Sequence, residues 1–234
     1  MNFEHSAERR MLGDSLNRFI AQNYNLEKRQ QSLQSGQGFN SGIWQQLAEM
    51  GVIGALFSEA DGGYGGGGFD LALVFEAVGR GLLVEPLLGS AVLAGDAIAS
   101  AGSETQKIEL AQIIDGSLIA ALAHDEPDSH YELNRVACRA EPQADGWRLD
   151  GTKSLVLHGE QAGLLVVSAR TAGAIDDSQG ISLFLVPRDT PGLEIRGSAT
   201  LDGGSVAQVR LNQLLVPGSA LLGTLHQGLS LIHI

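Results

Sequence analysis

The apolar residues of this chain change their period once, near position 118, and that change restricts the folds open to it. Before it they recur at helical spacing. Leu12, Leu16, Phe19 and Ile20 share one face, and Ile43, Leu47 and Met50 share another in NSGIWQQLAEMG, where Asn40 or Ser41 caps the start and Gly51 follows the end. The run 71–102 is almost wholly apolar, with charge only at Glu76, Arg80, Glu85 and Asp96, which predicts helices buried on several sides and broken near Pro86. Ser103 and Gln106 form a capping box ahead of a stripe at Ile108, Ala111 and Ile114. From 135 onward the runs are short and alternating (RVACRAE, GWRLDGTK, LLVVSAR, ISLFLVP, LEIRG, VAQVRL), parted by ADG, DDSQG, RDTPG and LDGG. Branched residues at that spacing predict an antiparallel sheet or small barrel. The expected class is α+β: a helical domain over 1–118, a β-sandwich or barrel domain over 119–225, and over 226–234 the first turns of a further helical domain. That last helix is too short to be stable alone, so the chain is expected to be truncated there.

Composition narrows the function. A chain of 234 residues makes one or two domains, and 44% hydrophobic content is enough for a sizeable core. The net charge of -12 argues against nucleic acid and anionic membrane as partners. No stretch approaches the roughly 20 apolar residues of a membrane-spanning helix, and MNFEHSAERR does not read as a secretion signal. The single cysteine, Cys138, permits no internal disulfide and reads as a small buried residue. A cytoplasmic location is expected.

The usual catalytic signatures are absent: no GxGxxG after a strand, no P-loop, no HExxH and no GxSxG. DGGYGGGGFD at 61–70 lacks a phosphate-binding lysine and reads as a tight irregular loop. None of the six histidines pairs with another at metal-ligand spacing. HDEPDSHYELN at 124–134 gathers His124, Asp125, Glu126, Asp128 and His130, either as a cation site or, preferred, as a solvated turn. Lys153 reads either as an anion contact or as a surface charge opposite Asp150.

Several segments in order carry a resemblance: Trp44 with LAEMGVIGALFSEADGGYGG, then Glu126-Pro127, GWRLDGTK, AGLLVVSAR, GISLFLVP, PGLEIRG and LLVPGSALLG before HQG. Over nearly its whole length the chain resembles the acyl-CoA dehydrogenase family, and within it the small-subunit type associated with pimeloyl-CoA dehydrogenase, where two related chains form one enzyme. The resemblance implies a helical N-terminal domain, a middle antiparallel β domain and a C-terminal four-helix domain that this chain lacks. It implies FAD as cofactor, an acyl-CoA substrate oxidised to the 2-enoyl-CoA, and electrons passed to an electron-transfer flavoprotein. A homo- or hetero-oligomer with a related dehydrogenase subunit follows, a heterotetramer in the pimeloyl type. An α proton beside a thioester is weakly acidic, so base and hydride acceptor must act together in fixed positions, the flavin carrying the redox chemistry. The family's base glutamate belongs to the C-terminal domain, so no catalytic residue is expected here.

The resemblance also implies cofactor contacts. Glu126-Pro127 matches the family's Thr-Glu-Pro, placing Asp125 where a threonine bonds the flavin, with His124 beside it. Leu122 stands where an aromatic residue gives a backbone contact, and Ser129 stands for the turn serine. DGTKSLVLHG replaces a stretch whose tryptophan, threonine and asparagine become Leu155, Leu157 and His158. Leucine packs against a ring but donates no hydrogen bond. Tyr64 is expected either to line the acyl pocket or to anchor its loop, and Glu126 to fix its turn. The competing readings are a non-catalytic partner subunit, a flavin oxidase or monooxygenase, and, outside the family, a recognition module.

Overall fold

A computed structural model describes residues 5–232 except 35 and 37. Helix α1 (Ala7–Asn23) starts at Ser6, whose hydroxyl accepts from Arg9 N, and it buries Gly13, Leu16 and Ile20 while Leu12 and Phe19 pack at the edge of the core. Helix α2 (Leu26–Gln34) is mostly exposed. Helix α3 (Ser41–Glu49) is capped by Asn40, which accepts from Gly42 N and Ile43 N. Helix α4 (Gly68–Gly81) packs against α1: Asp70 in its first turn takes a bidentate bond from Arg9 of α1, 2.6 and 3.1 Å, and Arg9 holds its carboxyl below the usual range. The expected break near Pro86 is present. α4 ends with Leu82 in the left-handed region, and a π-helical stretch, Leu87–Gly95, runs into α5 (Asp96–Ala101).

The Ser103–Gln106 box forms, each backbone N–H donating to the other's side chain at 3.0 and 3.3 Å. The stripe beyond it differs from expectation. Helix α6 (Ile108–Ile114) buries Leu110 and Ile113, while Ile108 is 62% exposed and Ala111 faces water. The box closes a separate turn over 103–107, α6 begins after it, and the face carrying Leu110 and Ile113 is the one that meets the core.

The glycine loop is held by backbone. Gly63 N donates to Ser58 O, Tyr64 N to Gly54 O, and Gly65 N to Phe57 O, at 2.9–3.1 Å. A Cβ on Gly63 would collide with the carbonyl oxygens of Gly54 and Phe57, so Gly63→Ala is expected to cost about 1–3 kcal/mol in a urea melt.

The second half forms one eight-stranded sheet: β1 (Ala120–Ala123), β2 (Arg139–Gln143), β3 (Gly146–Leu157), β4 (Leu164–Arg170), β5 (Ile181–Pro187), β6 (Leu193–Ala199), β7 (Ser205–Pro217) and β8 (Leu221–Leu222). Its order is β6-β7-β3-β2-β4-β5-β8, with β1 also on β4. Most pairings are antiparallel, as the alternation predicts. The sheet is nonetheless mixed, because β1 runs parallel to β4 and β2 meets β4 in parallel at Arg139 and Arg170. All seven residues of β4 are buried, since both faces are covered. Leu164 and Val166 enter the core built by the helices, while Leu165, Val167 and Ala169 enter a second core inside the sheet. Helix α7 (Gly228–Ile232) follows β8, and residues 233 and 234 of the expected terminal segment, His233 included, lie outside the described residues. Among the described residues, no helix is long and apolar enough to cross a membrane.

Candidate functional site

Strand β1 delivers the chain into the loop that begins at His124, and a bulge in β3 decides what that loop meets. Pairing of β3 with β7 slips between Lys153 and Val156, so one residue is inserted. Ser154 N donates at 2.8 Å to Asp125 O of the loop. Leu155, at φ 52, is turned out and is 51% exposed.

Lys153 lies behind the bulge, 0% exposed. Its Nζ donates to Glu126 Oε1 at 2.7 Å, to Ser168 Oγ at 3.0 Å and to His124 O at 3.1 Å. Glu126 also accepts from Ala137 N at 2.7 Å and Cys138 N at 3.0 Å. Both sequence readings of Lys153 are therefore corrected: it is neither a surface charge nor a contact for an external anion, because its three protons are spent inside the fold. The solvated-turn reading of the loop is corrected at Glu126, which points inward and fixes the turn, as the resemblance implied. Among the described residues no group of three His, Cys, Asp or Glu is placed to hold a metal ion. Cys138 is buried and its thiol is pushed up to about 11 by that burial, so it stays protonated and inert.

The residues expected to contact a cofactor are dispersed. Asp125, Ser129 and Leu155 line one cleft of about 170 Å³ with His130 and Tyr131. Burial raises the Asp125 carboxyl above its ordinary range, against the opposing pull of Lys153. The Ser129 hydroxyl is already committed to Glu126 O at 3.0 Å. His124 is buried, with Nδ1 2.9 Å from Ser168 Oγ. Leu122 is half-buried in β1 opposite Val166. Leu157 lines a different cleft, of about 500 Å³, between the end of α4 and the β6–β7 turn, together with His158 and Glu85. Sequence reasoning gave Glu85 no role, since it is one of three acids, with Glu76 and Asp96, in the 71–102 apolar run and stands at no place the family would use. Tyr64 lies over Gly51 and Gly54, close enough that a Cβ on either would touch its ring, so it anchors its loop.

Two family models match this architecture. "Acyl-CoA dehydrogenase, N-terminal domain" matches residues 6–117, and "Acyl-CoA dehydrogenase, middle domain" matches residues 121–213. The chain belongs to the acyl-CoA dehydrogenase family. It is 29% identical over 231 residues to acyl-CoA dehydrogenase FadE12 of Mycobacterium tuberculosis strain H37Rv, covering 95% of this chain and 58% of that protein. It is 28% identical over 234 residues to mitochondrial isovaleryl-CoA dehydrogenase of Pongo abelii, covering 95% of this chain and 54% of that one. Among solved structures it is similar to the ChsE4-ChsE5 complex of M. tuberculosis, with TM-score 0.85 and 28% identity, covering 99% of this chain and 61% of that chain. A dehydrogenase from Geobacillus kaustophilus shares the fold at TM-score 0.88, 24% identity, over 100% of this chain and 62% of its own. The chain thus spans less than two thirds of the length of these relatives.

The side chains of this wall do not fit a flavin held by this acyl-CoA dehydrogenase chain alone. Leu155 and Leu157 offer no donor, Ser129 is committed to its own turn, and His124 is enclosed by Ser168 and the Lys153 bond to its carbonyl. Of the six, Asp125 and Ser129 are the polar side chains that line the cleft, and the Ser129 hydroxyl is committed to its own turn.

Proposed function

We propose that this chain is a partner subunit of a heteromeric acyl-CoA dehydrogenase, completing or stabilising a site whose chemistry is carried mainly by a related chain. The observation that supports it is the apolar wall at Leu155 and Leu157, one turned out by a bulge and the other lining a separate cleft. The assembled enzyme would oxidise the α,β bond of an acyl-CoA to the 2-enoyl-CoA and pass electrons to an electron-transfer flavoprotein. FAD would be bound chiefly by the related chain. The solved ChsE4-ChsE5 structure is itself a complex of two named proteins, which favours this reading over a self-sufficient dehydrogenase. The finer likeness to the pimeloyl-CoA small subunit, a heterotetramer and a cytoplasmic location belong to the same proposal. So do the boundaries 1–118, 119–225 and 226–234 for helical domain, β domain and the start of a third.

The test is to purify the gene product alone and with a related dehydrogenase subunit, and to count flavin per chain by absorbance. The expected result is a colourless single chain and a yellow complex with one flavin per pair of unlike chains, bleached by acyl-CoA without oxygen. One flavin bound by the chain alone, reduced by acyl-CoA, would overturn the partner reading in favour of a dehydrogenase in its own right.

A further inference from the structure

An edge strand presents a row of unpaired N–H and C=O groups to any strand that fits it. One end of this sheet is β8, only two residues long. The other is β6, seven residues long, and among the described strands β7 is its only partner. The β6–β7 register runs unbroken from Leu193 opposite Leu211 to Ala199 opposite Ser205. Within β6 there is no proline, lysine or bulge, the features that usually blunt an edge.

Hydrogen bonds at the two ends of β6 fix which of its groups face outward. Asn212 N donates to Gly192 O at 2.9 Å, and Thr200 N donates to Gly204 O at 3.0 Å. Bonded residues alternate along an antiparallel pair. The even residues of β6 therefore turn their backbone to β7, and the odd ones, Ile195 and Gly197 among them, turn theirs to the open edge. Leu193 N is taken by Thr190 O at 3.2 Å, which leaves the Leu193 carbonyl.

The side chains then restrict what can pair there. Leu193 and Ile195 pack on the sheet's own core, while Glu194 and Arg196 are exposed. Among the described residues neither of these two charges is ion-paired. A second β6 can lie antiparallel to the first in few registers. A two-fold axis at Glu194 sets that carboxylate opposite its own copy, and an axis at Arg196 does the same to the guanidinium. An axis at Ile195 overlaps all seven residues and sets Glu194 opposite Arg196 twice. Both charge pairs then fall at non-bonded positions, where facing side chains are closest. Ile195 exchanges backbone bonds with its own copy, and Gly197 N reaches the Leu193 carbonyl.

We propose that β6 pairs antiparallel with β6 of a second copy of this chain, about a two-fold axis at Ile195, joining two sheets edge to edge. The occupant is a second copy because the charges of β6 complement themselves under that rotation. The inference stands apart from the proposed function, since it holds whichever chain carries the flavin.

The test uses single variants of the full chain, with the related subunit where the two assemble, and reads self-association by sedimentation. Glu194→Arg alone and Arg196→Glu alone should each weaken it about tenfold, because each sets like charges face to face twice. An equimolar mixture of the two should recover it, since opposite charges face each other again, and mixing would not cure a misfolded chain. Cysteines read the register independently. In this pairing the Cα atoms of 194 and 196 across the axis lie about 4.5 Å apart. Like positions lie about 7–8 Å apart, outside the usual disulfide span of about 4.4–6.8 Å. Glu194→Cys mixed with Arg196→Cys should therefore cross-link on oxidation, and neither should do so alone; the native Cys138 is buried. A chain that stays monomeric, self-association indifferent to the reversals, or a cross-link that needs no mixing would each overturn the edge pairing.

Discussion

Replacing Lys153 with methionine will lower stability by about 3–5 kcal/mol, because it strands a carboxylate in the interior. Glu126 is 9% exposed and keeps only the Ala137 and Cys138 amides once the ammonium is gone. His124 O and Ser168 Oγ lose their donor in the same step. The double variant Lys153→Met with Glu126→Gln should recover part of the loss, since the amide removes the uncompensated charge and its oxygen still accepts from one of the Ala137 and Cys138 amides. Urea melts with an unchanged slope would give both values. A loss under about 1 kcal/mol would mean that Glu126 reaches water in the folded state.

The second large effect is at Arg170, the last residue of β4. Its guanidinium donates to Asn134 O and Gln179 O at 2.7 Å, Ile175 O at 2.8 Å and Asp177 O at 3.0 Å, and Nε reaches Val136 O at 3.5 Å. One planar fork thus ties the stretch 134–136 to the stretch 175–179. Arg170→Met should cost about 3 kcal/mol, and limited proteolysis should then cut faster within 171–180. Arg170→Lys should not rescue it, because a single ammonium cannot span carbonyls fixed around a fork. Full rescue by lysine would show that charge rather than geometry holds the loops.

The helices and strands were legible because their periods are local properties. Leu16, Ile20, Ile43 and Leu47 lie inward as their spacing requires. The α6 stripe failed because spacing says which residues share a face and not which face meets the core, and Leu110 and Ile113, also three apart, are the buried pair. In β3 the inward residues Leu149 and Lys153 are both odd, while past the bulge the buried one is Val156. Parity with Leu149 could have revealed Lys153 as an interior lysine, but nothing local announced the slip after it. That slip turns Leu155 out, and the family pattern gave only its identity. Arg170 was opaque for a different reason: its partners are backbone carbonyls in segments that only tertiary folding brings together. Glu85 was visible as an acid among leucines, and its burial exists only in three dimensions.

Strands β1, β4 and β5 send alternate residues into the helical core and into the sheet's own core. They act as a party wall. Neither side can loosen without stripping one face of that wall, so the free energy of each side is lent to the other. The two halves differ in period, yet they are expected to behave as one cooperative unit, with the wall as the last element to come apart.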